Sequence, residues 1–316
     1  MKNFALIGAA GYIAPRHMKA IQETGNNLVA AYDPFDSVGI IDRYFPKADF
    51  FTEYERFDRH LEKLKRNGTK VDYISVCSPN YLHDAHIRFG LRYGADIICE
   101  KPLVLNPWNV EALEAIEQET QRKIHNILQL RLHPNIIALK QKIDNTPKSK
   151  IHEIKLTYLT ARGNWYYSSW KGEQSKSGGI ATNIGIHFFD MLLWIFGAVK
   201  TSVVHIHTHD RAAGYLQLER ANIKWFLSIN KDLIPADKNV HRSLEIEGED
   251  IDFSGGFEDL HTKSYEKVIN GNGFAIKETK RSIELAYQIR NAALVDDIVN
   301  QHELCKVKPS KHPFQR

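Results

Sequence analysis

The sequence predicts an α/β protein of two domains, a parallel, doubly wound sheet followed by a domain with a mostly antiparallel sheet. Two patterns and the chain length support this prediction. In roughly the first 130 residues, apolar runs of strand length alternate with helical segments, whereas the second half holds short strands with brief connections. The chain has 316 residues, which is long enough for two domains that each bury a core.

The first half repeats a β-α order. Its strands are almost continuously apolar, as expected for a parallel sheet that is covered on both faces. Gly68 and Gly94 mark the ends of two helices. We predict strands at residues 4–7, 28–32, 71–77, 97–99 and 124–130, and helices at residues 13–24, 54–67, 81–93 and 109–120.

The second half reads as an antiparallel meander flanked by two helices. We predict strands at residues 151–161, 199–208, 213–218, 224–230 and 242–247, and helices at residues 184–196 and 282–299. The change of pattern places the domain boundary near residues 128–134. The first domain is therefore predicted to span residues 1–128 and the second residues 129–316.

Composition excludes several classes of protein. The net charge is only +4 and basic residues are dispersed among acids, which argues against nucleic-acid binding. No apolar run approaches the roughly 18 to 20 residues that span a bilayer, so no membrane association is expected. Three cysteines cannot build a disulfide framework. A reducing, cytoplasmic setting is the expectation that follows.

A glycine-containing turn, Gly8-Ala9-Ala10-Gly11-Tyr12-Ile13, joins the first predicted strand to the first helix. Glycines there let the backbone approach a dinucleotide pyrophosphate, and the helix N-terminus supplies N–H groups for the anion. The alternative is a tight turn without a ligand. Asp33 favours a cofactor, and NAD over NADP, because its carboxylate would accept ribose hydroxyls and repel a 2′-phosphate. The predicted cofactor contacts here are Gly8, Ala10, Gly11, Tyr12, Ile13 and Asp33.

Two further segments follow predicted strands, where ligands bind in open α/β sheets. They are Ser78-Pro79-Asn80-Tyr81-Leu82-His83 and Glu100-Lys101-Pro102. The predicted cofactor contacts here are Ser78, Asn80, His83, Glu100 and Lys101, with the lysine beside the nicotinamide. Helix capping by Ser78 and Asn80 is an alternative that can coexist with this role. We interpret His83 and His86 as a solvated helix face rather than a metal pair.

A second polar segment, residues 178–190, lies at the start of an otherwise apolar helix. Asn183 and His187 are four residues apart, so we predict that they share one helical face. That face could line a substrate pocket. The alternative is a histidine satisfied within the core.

Together these motifs resemble the Gfo/Idh/MocA oxidoreductases. The glycine turn, Pro79-Asn80-x-x-His83, Glu100-Lys101-Pro102 and the segment 178–190 carry the resemblance, which covers essentially the whole chain. It implies a Rossmann NAD-binding domain and a C-terminal α/β domain with a large open sheet for substrate binding and oligomerisation, as a tetramer. It also implies that Lys101 and His187 flank the reacting carbinol.

The chain departs from the family at Asn183, where many members have an aspartate. A neutral amide cannot take a proton, so the base is Lys101 or His187. Histidine is poised near neutral pH, whereas lysine would need its pKa lowered by burial or by positive neighbours. The sequence leaves this choice open.

Within the family, residues 1–21, 77–109 and 161–172 resemble the UDP-N-acetylglucosaminuronate (UDP-GlcNAcA) 3-dehydrogenases of the WlbA/WbpB type. The resemblance implies oxidation of the sugar 3-hydroxyl to a ketone that an aminotransferase then uses. The pathway makes diacetamido uronic acids for bacterial surface polysaccharide, the O-antigen of lipopolysaccharide. In some members 2-oxoglutarate reoxidises the NADH.

Such a substrate carries a diphosphate and a carboxylate, so its pocket needs cations and donors. Arg131, Arg162, Asn164 and Lys171 are candidates, since guanidinium matches both anions in a bidentate fork. Four aromatic residues could pack on a sugar, nicotinamide or uracil ring, or belong to a core aromatic cluster: Trp165, Tyr166, Tyr167 and Trp170. The predicted substrate contacts are Lys101, Arg131, Arg162, Asn164, Trp165, Tyr166, Asn183 and His187. No metal is expected, because NAD takes the hydride.

Two other functions remain open on the sequence. One is a different sugar or cyclitol dehydrogenase of the same family, such as an inositol dehydrogenase. The other is a catalytically silent NAD-binding sensor, which should lack the Lys101 and His187 pair that this chain keeps.

Overall fold

The computed structural model describes residues 1–236, 238–251, 253, 255–296 and 299–314. The chain forms two compact units. The first comprises Met1–Gln129 with Glu258–Lys280, and the second comprises Leu130–Phe257 with Arg281–Arg316. The first break thus lies one residue from the predicted boundary. The segment Glu258–Lys280, which we placed in the second domain, packs with the first unit.

The first unit contains a parallel six-stranded sheet with the order β3-β2-β1-β4-β5-β6. The strand order reverses between β1 and β4, and ligands bind in such sheets at this reversal, beyond the carboxyl ends of the strands. The strands are β1 Asn3–Ile7, β2 Asn27–Tyr32, β3 Asp49–Phe51, β4 Tyr73–Val76, β5 Asp96–Cys99 and β6 Ile124–Asn126.

The second unit contains a mixed six-stranded sheet with the order β12-β11-β7-β10-β9-β8. Strands β8, β9 and β10 form the predicted meander, but β7 pairs in parallel with β10 and antiparallel to β11. The sheet is therefore mostly, not wholly, antiparallel. The strands are β7 His152–Thr160, β8 Val199–His207, β9 Arg211–Leu218, β10 Ala221–Ser228, β11 Val240–Ile246 and β12 Glu249–Asp250.

The helices lie between these strands and after them. They are α1 Ala14–Glu23, α2 Ile40–Tyr44, α3 Tyr54–Arg66, α4 His83–Tyr93, α5 Pro107–Thr120, α6 Pro134–Asp144, α7 Trp165–Ser168, α8 Gln174–Ser177, α9 Gly179–Asn183, α10 Ile186–Phe196, α11 Leu260–Ile269 and α12 Ile276–Asn291. Short 3₁₀ helices occur at Asn80–Leu82, Gln129–Leu132, Trp170–Gly172, Lys231–Leu233 and Glu303–Lys306.

Each unit has its own apolar core. In the first, Phe4, Leu6 and Met18 pack with Tyr265 and Val268, so the returning segment completes this core. In the second, α10 covers one face of the sheet with side chains such as Phe188 and Phe189, which are buried with Trp225.

Two predicted elements differ from the structure by more than three residues at one or both ends. The strand expected at residues 124–130 ends at Asn126, and a 3₁₀ helix at Gln129–Leu132 follows instead of continued strand. The last long helix is Ile276–Asn291 rather than residues 282–299, of which 297 and 298 lie outside the described residues. At its start, Glu278 Oε1 accepts from the N–H of Ala275 at 3.2 Å, a reciprocal capping contact that stabilises the first turn.

In the part of the chain that the structure describes, no single helix has the length and hydropathy to cross a membrane. One pair of helices, Gln174–Asn183 with Ile186–Phe196, is bent by 45° at the break between them. Taken together, the pair is long and apolar enough to span a membrane, judged by length and composition alone.

Candidate active site

The glycine turn lies directly against the end of β4. Gly8 has φ +93°, and a Cβ there would lie 2.6 Å from the Cys77 carbonyl carbon and the Ser78 nitrogen. A Cβ on Gly11 would lie 3.1 Å from the Gly8 oxygen. Only glycine at position 8 permits this approach and this backbone conformation. In this turn Ala10, Gly11 and Ile13 are half-buried, whereas Tyr12 has 85% of its surface exposed.

Asp33 connects this turn to the end of β2. Its carboxylate is buried and accepts from the Ala10 N–H at 2.9 Å and from the Phe35 N–H at 3.0 Å. The two bonds use different oxygens, and each carboxylate oxygen has a second lone pair. Asp33 is thus held in place by two backbone donors, and its oxygens keep acceptor capacity for further donors.

His83 and His86 follow β4, and both are buried, so our interpretation of a solvated helix face was wrong. His83 Nδ1 lies 2.7 Å from the Pro102 oxygen and Nε2 lies 2.8 Å from the Ser78 oxygen. Burial lowers the pKa of His83, and these two acceptors oppose that shift, since only an imidazolium has two N–H donors. Ser78 Oγ lies 2.8 Å from His86 Nδ1, and Asn80 is buried at the start of a 3₁₀ helix.

Glu100 and Lys101 follow β5, as predicted, and the peptide bond from Lys101 to Pro102 is cis. Lys101 is half-buried and its N–H donates to Glu100 Oε2 at 3.2 Å. Glu100 is buried, and its Oε1 accepts from His17 at 3.0 Å and from His261 at 2.8 Å. Ligand atoms of these three residues lie within 4.8 Å of one another, a set that a metal ion could also use. Sequence reasoning missed both histidines.

Asn183 and His187 lie on two different helices, so the prediction of one shared helical face was wrong. Asn183 ends α9, and His187, which is half-buried, lies in the first turn of α10. Gly185 lies at the break, where a Cβ would meet the Ala181 carbonyl and would lie 2.7 Å from Leu227 Cδ1. Asn183 Nδ2 donates to Tyr166 Oη at 3.2 Å.

The predicted anion-binding residues have different surroundings within the second unit. Arg131 is buried and makes a bidentate pair with Asp190, both N···O distances being 2.8 Å. Arg162 is half-buried and donates to Thr160 Oγ1 at 2.9 Å and to the Ala161 carbonyl at 3.0 Å. Asp190, which neutralises Arg131, is a partner that sequence reasoning missed.

A cationic aromatic cluster surrounds Lys171. Its Nζ lies 5.4 Å from the ring centre of Trp165 and 4.9 Å from that of Trp170. Burial, together with the charge of Arg162, lowers the pKa of Lys171. Trp165 is 55% exposed and Asn164 is exposed, whereas Tyr166 is buried. The exposed tryptophan and the nearby cations are therefore suited to an anionic ligand that carries a ring.

Two family matches agree with these features. Residues 2–127 match the NAD-binding Rossmann fold of the Gfo/Idh/MocA oxidoreductase family, and residues 140–236 match its C-terminal alpha/beta domain. Together they cover more than half of the chain, so the chain belongs to the Gfo/Idh/MocA oxidoreductase family. The predicted family, the α/β fold class and the NAD cofactor are confirmed.

The chain is also similar to solved structures of a bacterial dehydrogenase. The WlbA (WbpB) dehydrogenase from Thermus thermophilus in complex with NAD and alpha-ketoglutarate is 47% identical, with a TM-score of 0.92, over 96% of this chain and 99% of that chain. The complex with NAD and UDP-GlcNAcA is 45% identical, with a TM-score of 0.92, over 100% of both chains.

Curated relatives are more distant. Inositol 2-dehydrogenase from Rhizobium meliloti is 28% identical over 203 residues, which are 64% of this chain and 57% of the relative. The chain spans about half the length of the curated relatives it matches.

Proposed function

We propose that the protein oxidises the 3-hydroxyl of UDP-GlcNAcA to the 3-keto sugar with NAD as the hydride acceptor. The observation that carries this proposal is the 45% identity, over 100% of both chains, with a dehydrogenase solved with NAD and UDP-GlcNAcA. The residues of both units fit the chemistry.

The first unit fits the cofactor. Gly8 packs against the Cys77 and Ser78 backbone with no room for a Cβ, which fixes the tight strand-to-helix turn that a dinucleotide site needs. Ala10, Gly11, Tyr12 and Ile13 would lie along the cofactor at the start of α1. Asp33 has lone pairs left for ribose hydroxyls and a charge that disfavours a 2′-phosphate. Bound NAD would accept the hydride from the sugar carbon.

Lys101 and His187 are the groups we assign to the reacting hydroxyl. As the C–H bond gives up its hydride, the O–H proton must pass to a base, and a cation must stabilise the developing negative oxygen. One of the two residues takes the proton and the other polarises the oxygen. Asn183 is an amide held by Tyr166, so we assign it to substrate positioning rather than to proton transfer.

The anionic ends of the substrate need separate partners. We assign the diphosphate to Arg162, Asn164 and Lys171, and a ring of the substrate to the exposed Trp165, with Tyr166 holding this segment in place. We keep Arg131 as a candidate for a carboxylate, although Asp190 already neutralises part of its charge. A guanidinium has five donors, so this pair does not exhaust it.

Cofactor recycling follows from the energetics of the reaction. Oxidation of a secondary alcohol by NAD is uphill at neutral pH, so the ketone must be consumed and the NADH reoxidised. The relative solved with alpha-ketoglutarate supports 2-oxoglutarate as the oxidant, and an aminotransferase would consume the ketone. We further propose a cytoplasmic homotetramer that serves O-antigen synthesis.

The test is a substrate comparison. Enzyme with NAD, UDP-GlcNAcA and 2-oxoglutarate should yield 2-hydroxyglutarate and, with the aminotransferase present, a 3-amino sugar. The second candidate is a cyclitol or simple-sugar dehydrogenase, favoured by the 28% identity with inositol 2-dehydrogenase. Ready oxidation of myo-inositol or glucose, with no turnover of UDP-GlcNAcA, would establish this candidate and reject the first.

A further inference from the structure

We propose that Glu100 is a positioning residue for Lys101, and that His17 and His261 fix Glu100 by hydrogen bonds inside the first unit. The inference rests on the proposed function in one respect, namely that Lys101 acts in turnover. The arrangement itself belongs to the first unit and includes residues that the sequence motifs did not indicate.

The hydrogen-bond geometry assigns a proton to each link of this network. Glu100 Oε1 is an acceptor, and burial lowers the pKa of His17, which favours its neutral ring. Its Nε2 must carry the proton that is donated to Glu100 Oε1, and Nδ1 must then accept. Tyr265 Oη lies 2.7 Å from this Nδ1 and supplies a proton, while Ser75 Oγ, at 2.6 Å, donates to Tyr265.

His261 supplies the second donor to Glu100 Oε1. Burial opposes ionisation of the carboxyl, but the bonds from His17 and His261 outweigh it and hold the pKa of Glu100 well below its usual range. The carboxylate is therefore an anion, and its other oxygen accepts the Lys101 N–H. Burying an anion is unfavourable unless hydrogen-bond donors or opposite charges surround it. The buried Glu100 carboxylate therefore needs these donors in order to stay ionised.

Other bonds fix the backbone on both sides of Lys101. Asn126 Nδ2 donates to the Cys99 carbonyl at 2.9 Å and to the Glu100 carbonyl at 3.2 Å. Thr279 Oγ1 in turn donates to Asn126 Oδ1 at 3.0 Å. Beyond the lysine, the His83 ring lies 2.7 Å from the Pro102 oxygen. The Lys101 backbone is thus held before and after the residue, with Glu100 as the link to α1 and α11.

The first experiment compares His261→Ala with His261→Gln. The alanine variant loses a donor to Glu100, whereas a glutamine amide can donate in its place. We expect kcat to fall by about tenfold or more in His261→Ala, since small misplacements of reacting groups are costly, with Kd for NAD within about twofold. His261→Gln should recover kcat to within about threefold of the wild type. Equal kcat in the alanine variant and the wild type would overturn the proposal.

A matched pair of tyrosine variants separates positioning from general stability. Tyr265→Phe removes the hydroxyl that donates to His17, and Tyr93→Phe removes a hydroxyl that donates to the Leu61 carbonyl at 3.1 Å. Both changes remove one phenolic hydroxyl from a buried tyrosine and keep the ring. We expect similar losses of Tm, with a fall in kcat only for Tyr265→Phe. The same fall in kcat in both variants would show a structural effect and refute the positioning role.

A final measurement does not depend on the substrate. The rate at which an amine-specific reagent modifies Lys101 in the NAD-free protein, read by peptide mass spectrometry, reports directly on the lysine. We expect this rate to change by about threefold or more in His261→Ala and to return in His261→Gln. A changed rate without any turnover of UDP-GlcNAcA supports the positioning and rejects only the proposed substrate. An unchanged rate, or a stoichiometric metal bound through His261, overturns the positioning.

Discussion

Replacing Asp33 by asparagine tests how the first unit selects its cofactor. The change keeps the size of the side chain but replaces one carboxylate oxygen by an NH₂ group. In the structure one oxygen accepts from Ala10 and the other from Phe35. Whichever way the amide turns, a donor therefore faces one of these two backbone N–H groups.

The expected magnitudes follow from these contacts. A buried N–H left without an acceptor costs about 1–3 kcal/mol. The Ala10 and Phe35 contacts are only part-buried, so the free energy of unfolding without NAD should fall by about 1 kcal/mol, the low end of that range. Hydrogen bonds to charged groups contribute about 1.5–3 kcal/mol each. Losing one such bond to a ribose hydroxyl should weaken NAD binding by about tenfold to a hundredfold. NADP should be affected less, because the like-charge repulsion of its 2′-phosphate is removed.

The assay is a titration of both cofactors, together with chemical denaturation of the NAD-free protein. Asp36→Asn is the matched control, since Asp36 is exposed three residues further along the chain, and it should bind NAD within about twofold of the wild type. Unchanged affinity of Asp33→Asn for both cofactors would show that Asp33 does not bind the ribose. An unchanged free energy of unfolding would refute the argument from its two backbone donors.

Three other changes test the remaining roles. Lys101→Ala should keep NAD affinity within a few-fold and lower turnover by about 10² to 10⁴, the usual contribution of one acid-base group; near-normal turnover in a folded, NAD-binding variant would reject the assignment. His187→Asn should slow the chemical step and flatten the pH profile of kcat near neutrality, and an unchanged profile would show that another group titrates. Burial lowers the pKa of His86 to about 4 from a usual 6.5, so the unfolded chain takes up this proton first as the pH falls. The free energy of unfolding should therefore decrease as the pH is lowered from 6.5 to 4, and it should decrease less steeply in His86→Asn. Identical slopes for the two proteins would show that His86 does not contribute to this pH dependence.

The sequence predicted those features that depend on local pattern. Gly8, Asp33 and Glu100-Lys101 were placed correctly relative to β1, β2 and β5, because an apolar strand followed by a turn residue is a local signal. The same reasoning failed where a tertiary contact decides. The break between Asn183 and His187 depends on Gly185 packing against Ala181 and Leu227, which the helical spacing does not contain.

The partners of the candidate site residues were harder to predict than the residues themselves. His17 lies in an ordinary amphipathic helix, and His261 is 161 positions from Glu100, so no spacing rule connects them. The same holds for Arg131 and Asp190, which are 59 positions apart. The parallel pairing of β7 with β10 was missed for a related reason. In the sheet, β7 lies between β10 and β11, although it precedes both of them in the chain.

Because Glu258–Lys280 packs with the first unit, this unit cannot complete its folding early in synthesis. When residues 1–129 have emerged from the ribosome, three residues of that unit's core and polar network have not yet been synthesised: Tyr265, Val268 and His261. The first unit can be completed only when nearly the whole polypeptide has emerged. A fragment cut at the predicted boundary would lose the Tyr265 and Val268 side chains that pack with Phe4 and Met18, and it would leave Glu100 with one histidine donor instead of two.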